Sequence, residues 1–184
     1  MNIYGHIKVA IQILDSMLSK NKCDVSKNRI VEGLRDTWGL LHKYCKNIHP
    51  DRTNEINDRL NNLEPEDFLI TKDMLRDATT VLNRIKDERI NVKEFMYSYF
   101  RILDVLLIFH KPYEDGCNLC QSDLFYYFDT LEKVIIRECE TCGTQFNIGS
   151  EERLTSRTYS NLRPATRKEI IMHVSNFEEV SDII

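Results

Sequence analysis

Glycine and proline are scarce in this sequence, with only 6 glycines and 4 prolines among 184 residues. This composition excludes collagen-like and low-complexity chains, and a hydrophobic fraction of 42% argues against a disordered chain. Long apolar runs are also missing. The longest, ILDVLLIF at 102–109, contains a charge and is far shorter than the about 20 residues that span a bilayer. We therefore expect an ordinary globular chain with no membrane helix.

The first residues do not have the pattern of a secretory signal. MNIYGHIKVAIQILDS has no basic region followed by an apolar run and a small-residue cleavage site. We therefore expect the protein in a reducing, cytoplasmic compartment, where disulfides are rare.

A dense basic field is missing as well. Residues 113–184 carry 7 Lys and Arg against 13 Asp and Glu, whereas the preceding residues carry 18 against 16. The second part is therefore acidic, and neither part has the concentrated positive charge typical of sequence-independent nucleic-acid binding. A basic protein partner suits this charge better.

Helical periodicity fills the first 112 residues. Ser26 is a predicted helix cap, Thr71 opens a later helix, and the last helix begins near Val92 and continues to a stop at Pro112. Four or five amphipathic helices with short polar connections predict an antiparallel α-helical bundle over residues 1–112. The apolar residues recur at three- and four-residue steps: Ile7, Ala10, Ile11, Leu14, Met17 and Leu18; Ile30, Leu34, Trp38, Leu41 and Cys45; Ile56, Leu60 and Leu63; Met74, Leu75, Ala78, Val81, Leu82 and Ile85.

Two Cys-x-x-Cys pairs follow the helices and are separated by 18 residues. Between them, DLFYYFD and KVIIREC are rich in aromatic and β-branched residues and are joined by the turn-like TLE, which predicts a hairpin. Each pair can bend into a tight knuckle, so that four thiolates lie about 2.3 Å from one tetrahedral ion. Gly143 permits the positive φ that such a knuckle favours, and Gln121 holds the equivalent place after the first pair. The predicted ligands are Cys117, Cys120, Cys139 and Cys142.

The four cysteines could instead form two disulfides, a redox-active pair, or a set of unrelated buried thiols. A reducing compartment argues against disulfides. A redox Cys-x-x-Cys normally stands alone at a helix start, without a matching pair beyond a hairpin. The spacing therefore favours a metal site.

With its two cysteine knuckles around a hairpin, the segment at about 115–150 resembles the zinc-ribbon family, and TQFNI at 144–148 would add a third strand. The resemblance implies a structural Zn²⁺ ion, and zinc ribbons serve as stabilising modules, protein-docking surfaces or nucleic-acid readers. Four cysteines close the coordination shell that a catalytic zinc keeps open, so we expect no enzyme activity at this metal. The predicted fold is α+β, with the helical bundle at 1–112 followed by the zinc ribbon and a C-terminal extension at 113–184.

Two short motifs resemble further families. HPDR at 49–52 resembles the His-Pro-Asp tripeptide of J-domain co-chaperones, although the tyrosine–leucine signature of that family is absent upstream. Ordinary turn and capping chemistry also accounts for the tripeptide, with Pro50 ending one helix and Asp51 capping the next. RDTWGLLH at 35–42 resembles the HEPN ribonucleases, which implies that His42 acts on a ribose hydroxyl and Arg35 on a phosphate. Helices also contain this pair by chance.

The predicted function is stoichiometric binding of another macromolecule. Size and acidity resemble those of immunity proteins and antitoxins, which neutralise a basic nuclease toxin. The alternative is a nucleic-acid-associated factor that uses the ribbon and the Arg-bearing segment 153–168, which contains Arg153, Arg157, Tyr159, Arg163, Arg167 and Lys168. The acidic residues expected to meet a toxin are Asp123, Asp129, Glu132, Glu138 and Glu140.

Overall fold

A computed structural model of the chain describes residues 2–18, 26–64, 67, 69–87, 91–112, 116–150, 152–154, 161–175 and 179. Within these ranges the fold is α+β, with five helices, then a four-stranded antiparallel sheet, then a short sixth helix. The predicted order of helices followed by strands is confirmed. The elements are α1 (Ile3–Leu18), α2 (Lys27–Ile48), α3 (Pro50–Asn61), α4 (Lys72–Asp87), α5 (Val92–Leu107), β1 (Leu124–Asp129), β2 (Val134–Cys139), β3 (Gln145–Asn147), β4 (Leu162–Pro164) and α6 (Arg167–His173).

The helices form where the apolar stripes predict them. The Ser26 side chain accepts a hydrogen bond from the Arg29 N–H and caps α2, and Asn91 with Glu94 forms a capping box at the start of α5. Helix α1 packs on α2 and α4, while α5 packs on α2 and α4. No helix in the described part of the chain has the length and apolarity required to cross a membrane. The stripe of α2 is buried throughout: Ile30, Leu34, Trp38, Leu41 and Cys45.

Helices α2 and α3 meet at a single residue. His49 is the C-cap of α2 and the N-cap of α3, and its carbonyl accepts a hydrogen bond from the Thr53 N–H at 3.0 Å. The expectation that Asp51 caps α3 is wrong, because Asp51 lies inside the first turn and Pro50 occupies the first helical position. Proline suits that position because its missing N–H would have no intrahelical partner.

Helix α5 ends at Leu107, five residues before the predicted stop at Pro112. The chain becomes extended at Ile108, and the Phe109 carbonyl accepts a hydrogen bond from the Tyr126 N–H at 2.9 Å. Residue His110 pairs with β1 as an isolated antiparallel bridge. The extended backbone therefore satisfies polar groups along the first half of β1, which a longer helix would leave unpaired.

The sheet has the strand order β3-β2-β1-β4. The β1–β2 hairpin is the predicted one, and β3 is the third strand expected at TQFNI. Strand β4 was not predicted, because it lies in the polar, Arg-bearing segment; it pairs with the second half of β1, with Phe128 opposite Arg163. Phe109, His110 and β4 thus share one edge of β1.

One hydrophobic core joins the helices to the sheet. Phe125, Tyr126 and Ile135 from the sheet and Ile170 from α6 belong to the same buried cluster as the helical stripes. A second, smaller cluster lies among the cysteines and consists of Cys117, Leu124, Cys139 and Phe146. The boundary between 1–112 and 113–184 stays a prediction.

Candidate metal centre

The first cysteine pair lies in a tight turn that opens the sheet. The Gln121 N–H donates to the Cys117 carbonyl at 2.8 Å, and the Cys117 N–H donates to the Ser122 carbonyl at 2.8 Å. Gln121 takes a φ of 63°, a conformation that a non-glycine residue adopts at a cost of about 1 kcal/mol or more. The fold imposes this conformation although the sequence offers no glycine here.

The second pair lies in a turn with the same hydrogen bonds. The Gly143 N–H donates to the Cys139 carbonyl at 2.9 Å, and the Cys139 N–H donates to the Thr144 carbonyl at 2.9 Å. Gly143 also has a φ of 63°, as its sequence position predicted. Two unrelated sequences, CNLCQS and CETCGT, therefore form matching knuckles, one before β1 and one after β2.

The knuckles bring four sulfur atoms together. The Sγ atoms of Cys117 and Cys142 lie 3.7 Å apart, those of Cys120 and Cys139 lie 3.3 Å apart, and all four lie within 4.8 Å of one another. A tetrahedral ion with sulfur ligands at about 2.3 Å has sulfur–sulfur edges of about 3.8 Å. All four are free thiols. The arrangement is compatible with a zinc-binding module.

The four thiols divide into a buried pair and an exposed pair. Cys117 and Cys139 are buried, whereas Cys120 and Cys142 face solvent. Burial raises the pKa of Cys139 to about 12. Hydrogen bonds from Thr144 lower the pKa of Cys142 to about 6, and hydrogen bonds from Ser122 lower the pKa of Cys120. The pKa values of Cys120 and Cys142 thus lie below that of Cys139, and a divalent cation would supply the charge that ionises Cys139.

Arg101 connects the knuckles to the helices. From α5, its guanidinium donates to Asp123 at 2.8 Å, forms an ion pair with Glu140 and lies 3.3 Å from Asp77 of α4. Asp123 follows the first knuckle, and Glu140 lies within the second. The same guanidinium lies over the Phe125 ring, 5.3 Å from its centroid. One side chain therefore holds both knuckles against the helical layer.

His110 completes this network. It is fully buried, its Nε2 lies 3.3 Å from Asp77, and its Nδ1 lies 3.2 Å from the Ile108 carbonyl. His110 lies beyond the end of α5 and packs edge-on against Phe125.

Two carboxylates of this network have pKa values that are shifted in opposite directions. Burial would raise the pKa of Asp77, but the hydrogen bond with His110 and the charge of Arg101 outweigh it and hold that pKa below its usual value. Burial raises the pKa of Glu140, with a further contribution from Asp123, against the effect of Arg101. Asp77, His110 and Asp123 form a second cluster of metal-ligand type, and here the Arg101 guanidinium already supplies a cation.

The five acidic residues predicted to meet a partner lie in two places. Asp123, Glu138 and Glu140 lie where the sheet and its knuckles face the helices: Glu138 and Glu140 line a cleft beside α3 and α5, and Asp123 lines a cleft beside α4 and α5. Glu138 accepts a hydrogen bond from Gln145. Asp129 is the buried last residue of β1, and its Oδ1 accepts from the Leu131 and Glu132 N–H groups of the β1–β2 turn. Glu132 is exposed in that turn.

The residues of the two short motifs make structural contacts. Arg35 donates from α2 to the Leu60 and Leu63 carbonyls at 3.1 and 2.8 Å, and so satisfies carbonyls at the end of α3. The Nδ1 of His42 lies 3.3 Å from the Trp38 carbonyl. The His-Pro-Asp tripeptide forms the α2–α3 joint described above.

The Arg-bearing segment is described only in part. Arg163 donates to Glu169 through both terminal nitrogens and lies over the Phe128 ring, 4.8 Å from its centroid. Arg167 pairs with Glu179. Residues 155–160, with Arg157 and Tyr159, lie outside the described residues.

Sequence reasoning missed Asp77, Arg101 and His110. Arg101 gave one signal, since it is the single cation in the mainly apolar end of α5, SYFRILDVLL. A charge on a buried helix is normally paired, but its partners come from α4 and from both knuckles, which only the fold brings together.

Comparison with known proteins yields no relative: no protein-family profile, curated protein or solved structure matches the chain. Functional conclusions therefore depend on the geometry of the chain itself.

Proposed function

We propose that the protein is a non-catalytic zinc-binding protein whose Cys117, Cys120, Cys139 and Cys142 hold one structural Zn²⁺ ion in a zinc ribbon, and that it acts by stoichiometric binding of a basic protein. The observation that carries the metal assignment is the pair of matching knuckles that gather four sulfur atoms within 4.8 Å. Thiolate ligands in a tetrahedral set are typical of structural zinc.

The metal would stabilise the knuckle end of the sheet, where the separate hydrophobic cluster has only four residues. Zinc binding to cysteine-rich peptides is worth on the order of 10–16 kcal/mol at neutral pH. The buried pair Cys117 and Cys139 belongs to the small hydrophobic cluster with Leu124 and Phe146. Zinc at this point would tie both ends of the hairpin to one centre.

A role in binding follows from the closed ligand set and from the charge. Four thiolates leave no coordination position for water or substrate, which supports a structural rather than a catalytic ion. The chain has a net charge of −4, and its excess of acid lies in the second part. Acidic surfaces accelerate association with basic proteins at low salt, as in neutralisation of a nuclease toxin by an immunity protein or antitoxin.

The metal is tested by elemental analysis of protein purified without chelator. We expect one zinc per chain, and loss of that zinc in the Cys117→Ser/Cys139→Ser variant but not in Cys45→Ser, whose thiol is buried in the helical core. Protein without stoichiometric metal would overturn the zinc assignment.

The binding role is tested with the product of a neighbouring reading frame. We expect a 1:1 complex by size-exclusion chromatography with light scattering, and a lower association rate at 500 mM than at 50 mM salt. Turnover of a nucleic acid or nucleotide by the chain alone would contradict the non-catalytic role.

A further inference from the structure

Two clefts meet where the helices face the sheet. The first, of about 410 Å³, lies between α3, α5 and strands β1 and β2. The second, of about 620 Å³, lies between α4, α5 and the two knuckles. Both are lined by Tyr97, Arg101 and Glu140, so they form one continuous depression, which we name the furrow. It runs from the α2–α3 joint to the candidate metal centre.

Carboxylates outnumber guanidiniums along the furrow. Four arginines line it: Arg52, Arg59, Arg84 and Arg101. Three of them form ion pairs within the furrow, Arg52 with Asp104, Arg59 with Glu55, and Arg101 with Asp77, Asp123 and Glu140. The furrow therefore keeps an excess of negative charge after its own cations are counted. Its six carboxylates are Glu55, Asp77, Asp104, Asp123, Glu138 and Glu140.

Aromatic rings lie among these carboxylates. Arg52 lies over the Phe100 ring at 5.5 Å and Arg101 over the Phe125 ring at 5.3 Å, so the furrow already binds guanidinium groups through ring faces and carboxylates together. Tyr97 stands where the two clefts meet and is 49% exposed. Tyrosine is among the residues that most often carry binding energy in interfaces.

We propose that the furrow is the docking surface for an extended basic segment of the protein partner, whose Lys and Arg side chains contact these carboxylates and rings. The proposal rests on the proposed function and deepens it, because it selects among the acidic residues. Glu138, Glu140 and Asp123 belong to the furrow, whereas Asp129 at the end of β1 and Glu132 in the hairpin turn do not line it. Charge complementarity favours a cationic polypeptide in the furrow. A nucleic acid would add negative charge to a surface that already has more carboxylates than guanidiniums.

The test uses the zinc-loaded 184-residue chain and a fluorescent 12-residue peptide of alternating arginine and glycine. Anisotropy at 50 mM salt should show saturable 1:1 binding. The Glu55→Gln/Glu138→Gln variant should bind at least tenfold more weakly, and Tyr97→Ala about fivefold more weakly. Glu132→Gln, which removes an exposed charge in the hairpin turn, is the matched control and should bind within twofold of the wild type.

The outcomes separate this proposal from the proposed function. Peptide binding that is unchanged in the furrow variants but weakened by Glu132→Gln would overturn the furrow and leave a basic partner in place. If the protein does not bind the peptide, or binds a 12-nucleotide RNA at the same concentration more tightly, both the furrow proposal and the proposed basic partner are overturned. Retained melting temperature and zinc content in each variant show that a loss of binding is not a loss of fold.

Discussion

Arg101 in helix α5 and Asp123 beside the first cysteine knuckle form a salt bridge at 2.8 Å. The two residues are 22 positions apart and belong to different layers of the fold. Because the same guanidinium also pairs with Asp77 and Glu140, the helical layer and the candidate metal centre share one cation. A change in the helical layer at Arg101 therefore affects the candidate metal centre, and a change at that centre affects the helical layer.

Arg101→Gln should lower the free energy of unfolding by about 2 kcal/mol at pH 7, because three half-buried carboxylates lose their common partner. Chemical denaturation followed by circular dichroism measures this. Arg76→Gln is the matched control, since Arg76 pairs with Asp73 at a site where both side chains are about half exposed; it should cost less than about 1 kcal/mol.

The effect of Arg101→Gln should also depend on pH. The pKa of Asp77 is lowered in the folded protein, so its stabilisation is present above the ordinary aspartate pKa of about 3.9 and is lost as pH falls through the lowered value. The difference between wild type and Arg101→Gln should therefore shrink below about pH 4. A difference that stays constant from pH 7 to pH 3 would show that Arg101 acts through packing alone.

Thr144→Val should make metal binding more sensitive to acid. The Thr144 hydroxyl lies 3.2 Å from the Cys142 sulfur and helps to lower the pKa of that thiol to about 6. Without this hydrogen bond the thiolate is harder to form, so zinc should be released at higher pH than in the wild type, by about 0.5 pH unit or more. Competition with a chromogenic chelator between pH 5 and 8 measures the release.

Thr79→Val provides the control for this prediction. The Thr79 hydroxyl donates to the Leu75 carbonyl within α4 at 2.7 Å and does not line the cleft beside the knuckles. Its pH of zinc release should equal that of the wild type. An unchanged value in Thr144→Val as well would show that the hydroxyl has no part in holding the thiolate.

Tyr99→Phe should destabilise the helical layer by about 1–2 kcal/mol. The Tyr99 hydroxyl is completely buried and donates to the Thr37 hydroxyl at 3.0 Å, and Thr37 donates in turn to the Leu34 carbonyl. Tyr97→Phe, two residues away on the same helix, removes a hydroxyl from a side chain that is 49% exposed and should change stability by less than about 0.5 kcal/mol. Equal effects of the two substitutions would contradict the role of the buried hydrogen bond.

Gly39→Ala should stabilise the protein by about 0.5–1 kcal/mol, because Gly39 lies inside α2 and a Cβ there meets no atom within 4 Å. Gly33→Ala in the same helix should gain less or destabilise, since its Cβ would come within 2.8 Å of the Met17 sulfur in the buried face of α1. Thermal melts of the two single variants measure the difference. A stabilisation of the same size at both positions would show that the Met17 side chain moves aside freely.

The sequence by itself determined the helices of the first part, the β1–β2 hairpin and the four cysteines that the fold brings together. Spacing of apolar residues at three and four positions specifies the helices, alternation of β-branched and aromatic residues specifies the hairpin, and two Cys-x-x-Cys pairs around that hairpin predict four sulfurs at one point. These features depend on neighbours within a few residues or on one short connection, so the chain encodes them locally.

Only the tertiary structure decided what lies around the candidate metal centre. The end of α5 at Leu107, the pairing of 109–110 and β4 with one edge of β1, and the Arg101 network depend on groups far apart in the chain. The same holds for the acidic residues: the sequence placed five carboxylates near the cysteines, and the fold put three of them in the furrow. Salt bridges and clefts produce no periodic pattern in the sequence. The packing of whole elements, and not spacing along the chain, brings their residues together.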